Sequence, residues 1–257
     1  MLVATWNVNS LRARLPRVLE FLEKHRPEAL CLQETKVHGE TFPHMDLMAA
    51  GYRAIDYSAG QWAGVAILVR EDCEVGEDVV LGLPGEPLPE DARWVEATVD
   101  GVRLVSVYVI NGRSLDDPMF PHKLTFLEAM ERRVAEMSTP YLISGDFNIA
   151  PADIDLYDPA AFVGGTHVAP EERERLQRIL ALGAVDAYRH LEPEGVKYTW
   201  WDYRQGHFHR GFGMRIDLAL ASADLAPRLR SCAIDRDFRK GPKPSDHAPV
   251  LVELADA

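Results

Sequence analysis

Residues 140–151 read Pro-Tyr-Leu-Ile-Ser-Gly-Asp-Phe-Asn-Ile-Ala-Pro, and the rest of the 257-residue chain is ordered around them. Tyr141, Leu142 and Ile143 form an apolar run of the kind that fills a buried strand, and Gly145 predicts a release into a turn. Asp146 and Asn148 follow at alternating spacing. If the backbone stays extended through them, both side chains project from one side of the strand end, and an acid and an amide stand at the rim of a rigid sheet. Alone, the pair reads more readily as two ordinary turn residues. Its meaning depends on what the other strand ends carry.

They carry similar groups. Leu2 to Trp6 is a β-rich run that ends in Asn7-Val8-Asn9-Ser10, after which Leu11, Leu15, Val18, Leu19 and Leu22 recur at helical spacing. Asn7 and Asn9 thus fall at a strand-to-helix junction, where open α/β sheets place ligand groups, with helix capping as the competing role. Ala29 to Leu32 is a second buried run and delivers Glu34. Tyr52 to Tyr57 and Val65 to Val69 read as neighbouring strands. Arg93 to Val99 and Val102 to Val109 flank Asp100-Gly101, a strong hairpin signal. The second of these strands sets Tyr108 just ahead of the polar loop Asn111-Gly112-Arg113.

Pro121 to Met137 and Ala169 to Leu182 have amphipathic helical spacing. Between them, Asp153 to Val168 has no regular period, and loops of that length are more often functional than idle. Val196 to Arg204, with its Thr199-Trp200-Trp201-Asp202-Tyr203 core, reads as a strand-like aromatic segment. Asp217 heads the apolar run to Ala221, where a carboxylate is costly to desolvate unless it has a partner. Asp246 and His247 come just before the last strand, Val250 to Leu254.

Length and composition narrow the class. The Pro- and Gly-rich stretch Pro84 to Pro89 lies between strand-like flanks and reads as an excursion, so 1–257 is expected to be a single domain. No apolar run approaches the roughly 18 to 20 residues of a membrane span, and Met1 leads directly into a strand, which predicts a soluble cytoplasmic chain with no membrane partner. Cys31, Cys73 and Cys232 have no paired spacing, so neither a disulfide framework nor a zinc site is expected. The net charge of -12 opposes non-specific polyanion binding. A nucleic-acid substrate stays open, because arginines can gather on one face while carboxylates hold a cation that bridges to phosphate. Strands outnumber helices and include hairpins, which favours two packed sheets with helices outside over a repeating βαβ fold.

The strand-end residues are Asn7, Glu34, Tyr108, Asp146, Asn148, Asp217, Asp246 and His247. Hard oxygen ligands without cysteine suit Mg²⁺ or Mn²⁺, and a lone histidine beside carboxylates suits proton transfer or phosphate contact. Phosphodiester hydrolysis needs an activated water, a charge sink for the phosphoryl oxygens and help for the leaving oxygen. This set can supply each.

Trp6-Asn7-Val8-Asn9-Ser10-Leu11-Arg12-Ala13, Leu32-Gln33-Glu34-Thr35-Lys36, Gly145-Asp146-Phe147-Asn148, Arg215-Ile216-Asp217 and Ser245-Asp246-His247-Ala248-Pro249 resemble, in order, the signatures of the exonuclease III family of DNA repair nucleases. They span almost the whole chain, and the ordered set is far more specific than any member. The resemblance implies an α/β four-layered sandwich, with two packed mixed β-sheets flanked by helices. It also implies Mg²⁺ dependence, with Mn²⁺ as a possible substitute, and cleavage of double-stranded DNA 5′ to abasic sites. Action at 3′ ends, as a 3′ to 5′ exonuclease or in cleaning damaged ends, accompanies this in variable proportion.

Residue by residue, Asn7 and Glu34 match the family's metal-site positions, with Asp246 close to the ion. Asp146 matches the residue that aligns or deprotonates water, and Asn148 its phosphate-binding neighbour. Both, with His247, are also placed near the metal. Tyr108 matches a tyrosine near the phosphate, and Asp217 and His247 a carboxylate–imidazole pair. Trp200, Met214 and Ile216 match an apolar pocket for a sugar without its base, and Asn111 and Arg113 fall in a DNA-facing loop. That loop, Ile110-Asn111-Gly112-Arg113-Ser114, and His207 to Phe212 depart from the common family pattern, which leaves the balance of activities open. A monomer is expected. A relative acting on a phospholipid or inositol phosphate is the alternative enzyme, and a DNA-binding module without catalysis the non-enzyme alternative.

Overall fold

The computed structural model describes residues 1–256. Strand β1 (Leu2–Asn7) leads into helix α1 (Leu11–His25), then β2 (Ala29–Gln33), α2 (His44–Ala49), β3 (Tyr52–Tyr57) and β4 (Val65–Arg70). There follow β5 (Val80–Leu81), β6 (Trp94–Val99), β7 (Val102–Tyr108), α3 (Met119–Glu136) and β8 (Tyr141–Asp146). The chain continues through α4 (Pro170–Ala181), β9 (Val185–Asp186), α5 (Ala187–Leu191), α6 (His207–Arg210), β10 (Asp217–Ala221), β11 (Leu229–Ile234) and β12 (Val250–Leu254).

Local chemistry accounts for these elements. Every residue of β2, β8 and β10 is buried, as continuous apolar runs predict for strands covered on both faces. Asp100 (φ 46°) and Gly101 (φ 78°) both adopt left-handed backbone at the β6–β7 turn, the pairing that the twist of a two-residue hairpin needs. The Ser10 side chain caps α1, Arg26 closes it in left-handed conformation, and Pro170 opens α4 where no helical N–H is lost.

The strands form two six-stranded sheets, ordered β11-β12-β1-β2-β4-β3 and β5-β6-β7-β8-β10-β9. Pairing is antiparallel except at β1–β2 and β7–β8, so both sheets are mixed. Val3, Cys31 and Ile67 from one sheet meet Val95, Leu104 and Leu142 from the other in a shared apolar layer. Outside it, Phe21 and Leu47 cover the first sheet, while Phe126, Met130 and Leu176 cover the second. The four-layered sandwich is thereby realised, helix–sheet–sheet–helix.

Three local expectations are corrected. Gly145 does not release the chain; it lies inside β8, where a Cβ would stand 1.9 Å from the Val107 carbonyl oxygen, so only glycine permits that strand approach. The chain does not stay extended to Asn148, which is left-handed at φ 51°. Val196 to Arg204 forms no strand: Trp200 makes only isolated bridges, to Met214 and His247. The long loop before α4 holds two short 3₁₀ turns, Asp153–Asp155 and Pro159–Phe162.

Candidate active site

Both sheets end at one rim, and strand register sets the polar residues along it. Tyr108 stands opposite Asp146 across β7 and β8, and Asp146 opposite Asp217 across β8 and β10, which puts three of them in a row on adjacent strands. On the other sheet, Asn7 ends β1 opposite Gln33, the residue before Glu34. Two sheets packed face to face therefore bring carboxylates from widely separated parts of the chain together.

The Asn7 amide joins the sheets. Its Nδ2 donates to Glu34 Oε1 at 2.7 Å and to Asp146 Oδ2 at 2.9 Å, while its oxygen accepts from the Asn9 N–H. Asn7, expected near the metal, here turns its oxygen to the backbone and its Nδ2 to two carboxylates that would otherwise repel.

Glu34, Asp146 and His247 are the three groups among the described residues whose ligand atoms lie within 4.8 Å of one another. Lys36 Nζ stands 2.6 Å from Glu34 Oε2 and donates to Asn9 Oδ1. Asp246 accepts one hydrogen bond on each oxygen, from Asn9 Nδ2 and from Trp200 Nε1, each at 3.0 Å. The same two hydrogen bonds and the His247 charge hold its carboxyl low against the effect of burial.

His247 Nδ1 lies 2.8 Å from Asp217 Oδ2, and its Nε2 lies 3.7 Å from Asp146 Oδ2. Burial by itself would lower the imidazole's pKa, but the Asp217 and Asp146 carboxylates outweigh it and raise it to about 10. His247 is then a cation at neutral pH with both nitrogens protonated. Asp146 is also raised: burial raises it, the His247 charge opposes, Asp217 and Glu34 add, and it reaches about 7. Burial and the charges of Glu34 and Asp146 hold the Tyr108 hydroxyl well above its ordinary value, so it keeps its proton and donates.

Asn148 is fixed on every side. Its N–H donates to Asp146 Oδ1, its Nδ2 to the Val109 carbonyl, and its Oδ1 accepts from Asn111 Nδ2 at 2.9 Å. His167 Nε2 completes this knot, 3.2 Å from Asn148 Oδ1 and 3.3 Å from Asn111 Nδ2. Burial and then the nearby Lys123 ammonium depress the His167 pKa to about 3, which leaves it neutral. Neither His167 nor Lys123 carried a motif; the one sequence signal was the length of the aperiodic loop that holds His167. Left-handed backbone at Asn9, Ser10, Glu34, Lys36, Asn148 and His167, all non-glycine, marks this rim as a place where backbone strain is concentrated.

The remaining expected residues divide. Met214 and Ile216 are buried with Ala150 and Leu156, and Trp200, Phe162 and Val168 pack partly exposed against them. The Arg113 side chain is exposed, 3.7 Å from Asp117, and only its N–H reaches the polar knot, donating to Asn111 Oδ1 at 3.0 Å. Arg113 lines a cleft of about 420 Å³ that begins at Tyr108 and Asn111.

The sequence that builds this rim matches the endonuclease/exonuclease/phosphatase family over residues 4–247. The chain belongs to that family. Within it, the chain is 32% identical to exodeoxyribonuclease III of Haemophilus influenzae, over 97% of this chain and 98% of that one. Among solved structures it resembles a 3′ phosphatase from Neisseria bound to a product DNA hairpin, at 39% identity and a TM-score of 0.95, with all of both chains covered. It likewise resembles an AP endonuclease from Archaeoglobus fulgidus, at 35% identity and a TM-score of 0.93 over 99% of each chain. Each family resemblance seen in the sequence motifs therefore falls on a chain aligned almost end to end.

Proposed function

We propose that this protein is a Mg²⁺-dependent DNA repair phosphodiesterase that cleaves 5′ to abasic sites and also processes 3′ ends. The observation that carries the reading is the meeting of Glu34 and Asp146, from opposite sheets, with an imidazolium fixed by Asp217. The names of the three similar proteins, an exodeoxyribonuclease, a 3′ phosphatase and an AP endonuclease, support both parts of the activity. One catalytic domain acting as a cytoplasmic monomer agrees with a site completed within one chain. Among the described residues, no helix is long and apolar enough to cross a membrane.

The donor set fits a hard divalent cation. Burial and neighbouring carboxylates raise the Asp146 pKa, and a cation held by Glu34 and Asp146 would offset that cost. When bound there it supplies Lewis acidity and charge neutralisation at the phosphoryl oxygens. Asp146 orients and deprotonates the attacking water. His247 and Tyr108 present protons to the phosphate, and Asn148, locked by Asn111, holds it in place. Asp217 fixes the imidazole's tautomer and orientation. Mn²⁺ should substitute, since the ligands are not selective by geometry alone.

The direct test is to incubate the purified protein with Mg²⁺ and three labelled duplexes, one abasic, one blunt and one ending in a 3′-phosphate. Cleavage of the abasic and 3′-phosphate duplexes is expected. Activity on a small phosphate ester with none on any duplex would favour an inositol phosphate or phospholipid substrate instead.

Glu34→Gln is expected to weaken Mg²⁺ binding and lower cleavage, with partial recovery at high Mg²⁺, because an amide oxygen is a poorer ligand for a hard cation. In the parent protein, binding should release a proton below pH 7 as the ion displaces the one held by Asp146, and calorimetry in buffers of different ionisation enthalpy measures both effects. Unchanged affinity in the variant would remove Glu34 from the metal site.

Trp200→Ala is expected to lower abasic-site cleavage much more than hydrolysis of a minimal phosphodiester. The partly exposed indole packs over the buried Met214 and Ile216, and its exposed face is the apolar surface proposed to meet the sugar. A sugar that has lost its base reaches that face without the unstacking and unpairing cost of about a few kcal/mol that an intact nucleotide meets. Equal loss on both substrates, with a much lower thermal midpoint, would make Trp200 a core residue.

A further inference from the structure

Lys123 is a helix residue with no exposed surface, and its partner Glu172 has none either. A buried ion pair is a poor device for stability, since apolar residues of similar volume often serve the fold as well or better. What distinguishes this one is where its remaining hydrogen bonds go. Besides pairing with Glu172, the ammonium donates to the Asn148 carbonyl at 2.7 Å, to Thr166 Oγ1 at 3.2 Å and to the Asn111 carbonyl at 3.3 Å. The Thr166 hydroxyl in turn donates to the Asn111 carbonyl at 3.0 Å.

These acceptors belong to two connections: Asn111 follows β7, while Asn148 and Thr166 lie near the two ends of the long segment between β8 and α4. Each contributes a side chain to the knot of Asn111, Asn148 and His167. Glu172 ties the end of the β8–α4 segment further, because its Oε1 accepts the Ala169 N–H at the start of α4. The backbone is shaped for the contact as well. At Gly112 (φ 84°) a Cβ would lie 3.1 Å from Thr166 Oγ1 and 3.2 Å from Lys123 Cδ, so glycine lets the first loop close over the lysine.

We propose that Lys123 is a positioning residue of the proposed nuclease site: by holding the main chains of Asn111 and Asn148 and the Thr166 hydroxyl together, it sets the Asn111–Asn148–His167 knot that orients the scissile phosphate. The inference rests on the function proposed above. Lys123 itself lies beneath the knot and touches no reacting atom. It acts through the β7–α3 and β8–α4 connections.

Removing the lysine alone would strand a buried carboxylate, so the test is the double variant Lys123→Met/Glu172→Gln, which discards both charges and keeps an acceptor for Ala169. A Leu22→Ala variant, in the opposite helix layer, provides a destabilised protein with an untouched site. The double variant is expected to lose about a hundredfold in kcat on the 3′-phosphate duplex. Its KM and its Mn²⁺ affinity should stay within about threefold of the parent. In ¹⁵N spectra the side-chain amide signals of Asn111 and Asn148 should move, while that of Asn7 stays. A kcat close to the parent's, a loss no greater than that of Leu22→Ala, or unmoved Asn111 and Asn148 signals would each overturn the assignment. If the parent itself cleaves no duplex, the nuclease reading falls, and the amide signals alone decide whether Lys123 positions the knot.

Discussion

Asp146→Asn is expected to reduce single-turnover cleavage by about a hundredfold to ten-thousandfold, the range over which a positioned acid–base group contributes. Asparagine keeps the shape at the centre of the site and its contact to the Asn148 N–H, but it can neither accept the water's proton nor bring a charge to the cation. The same change should raise stability in the metal-free protein. The folded pKa of Asp146, about 7, lies above its ordinary 3.8, so the folded state binds the extra proton between those values. Stability linked to this group is present below about pH 4 and is lost as pH rises through 7. At pH 8 the buried charge bears its full cost, and the neutral amide removes it. The thermal midpoint of the variant without metal should therefore exceed that of the parent at pH 8 and approach it at pH 4. Turnover within a few fold of the parent would move the base role to another residue.

Asp217→Asn is the second large effect, with an expected loss of about a hundredfold or more in turnover. Asp217 Oδ2 is the partner of His247 Nδ1 and the leading charge that raises the imidazole to about 10. An amide there loses that charge and loosens the ring's orientation. The pH profile separates this from general damage. A cationic His247 in the parent should sustain kcat/KM well into the alkaline range, whereas in the variant the alkaline limb should fall towards the ordinary histidine value of 6.5. For stability the sign is that of a raised base. The contribution of the His247–Asp217 pair is complete below pH 6.5 and is lost as pH rises through about 10, so the variant should be less stable than the parent chiefly below that upper limit. A variant whose alkaline limb coincides with the parent's would show that Asp217 does not govern the imidazole.

Much of this was legible in the chain because it is encoded locally. The apolar runs at Leu2 to Trp6, Ala29 to Leu32 and Tyr141 to Ile143 became β1, β2 and β8, and Asp100-Gly101 became the expected hairpin turn. Burial needs a continuous run, and a tight turn needs residues that tolerate positive φ; both conditions are met by neighbours in sequence. Polar residues placed just at the ends of such runs, Asn7, Glu34, Tyr108 and Asp146, were therefore visible as rim groups before any contact was known.

What those residues do to one another was settled only by the packing of the two sheets. Asn7 and Asp146 are 139 positions apart, and whether that amide turns its oxygen or its nitrogen to the carboxylates depends on Asn9 taking the oxygen. The aromatic segment around Trp200 has the composition of a strand but finds only single bridges, because its backbone partners are shared between Met214 and His247. His167 joins the site through a loop that no periodicity describes, and Lys123 from a helix whose spacing marks an apolar face but not a buried lysine. Propensity and pattern act over a few residues and determined the elements of this protein. Register across sheets, the direction of a side chain at a left-handed residue and the pKa of a buried carboxyl are sums over groups distant in sequence, and they exist only once the chain has closed on itself.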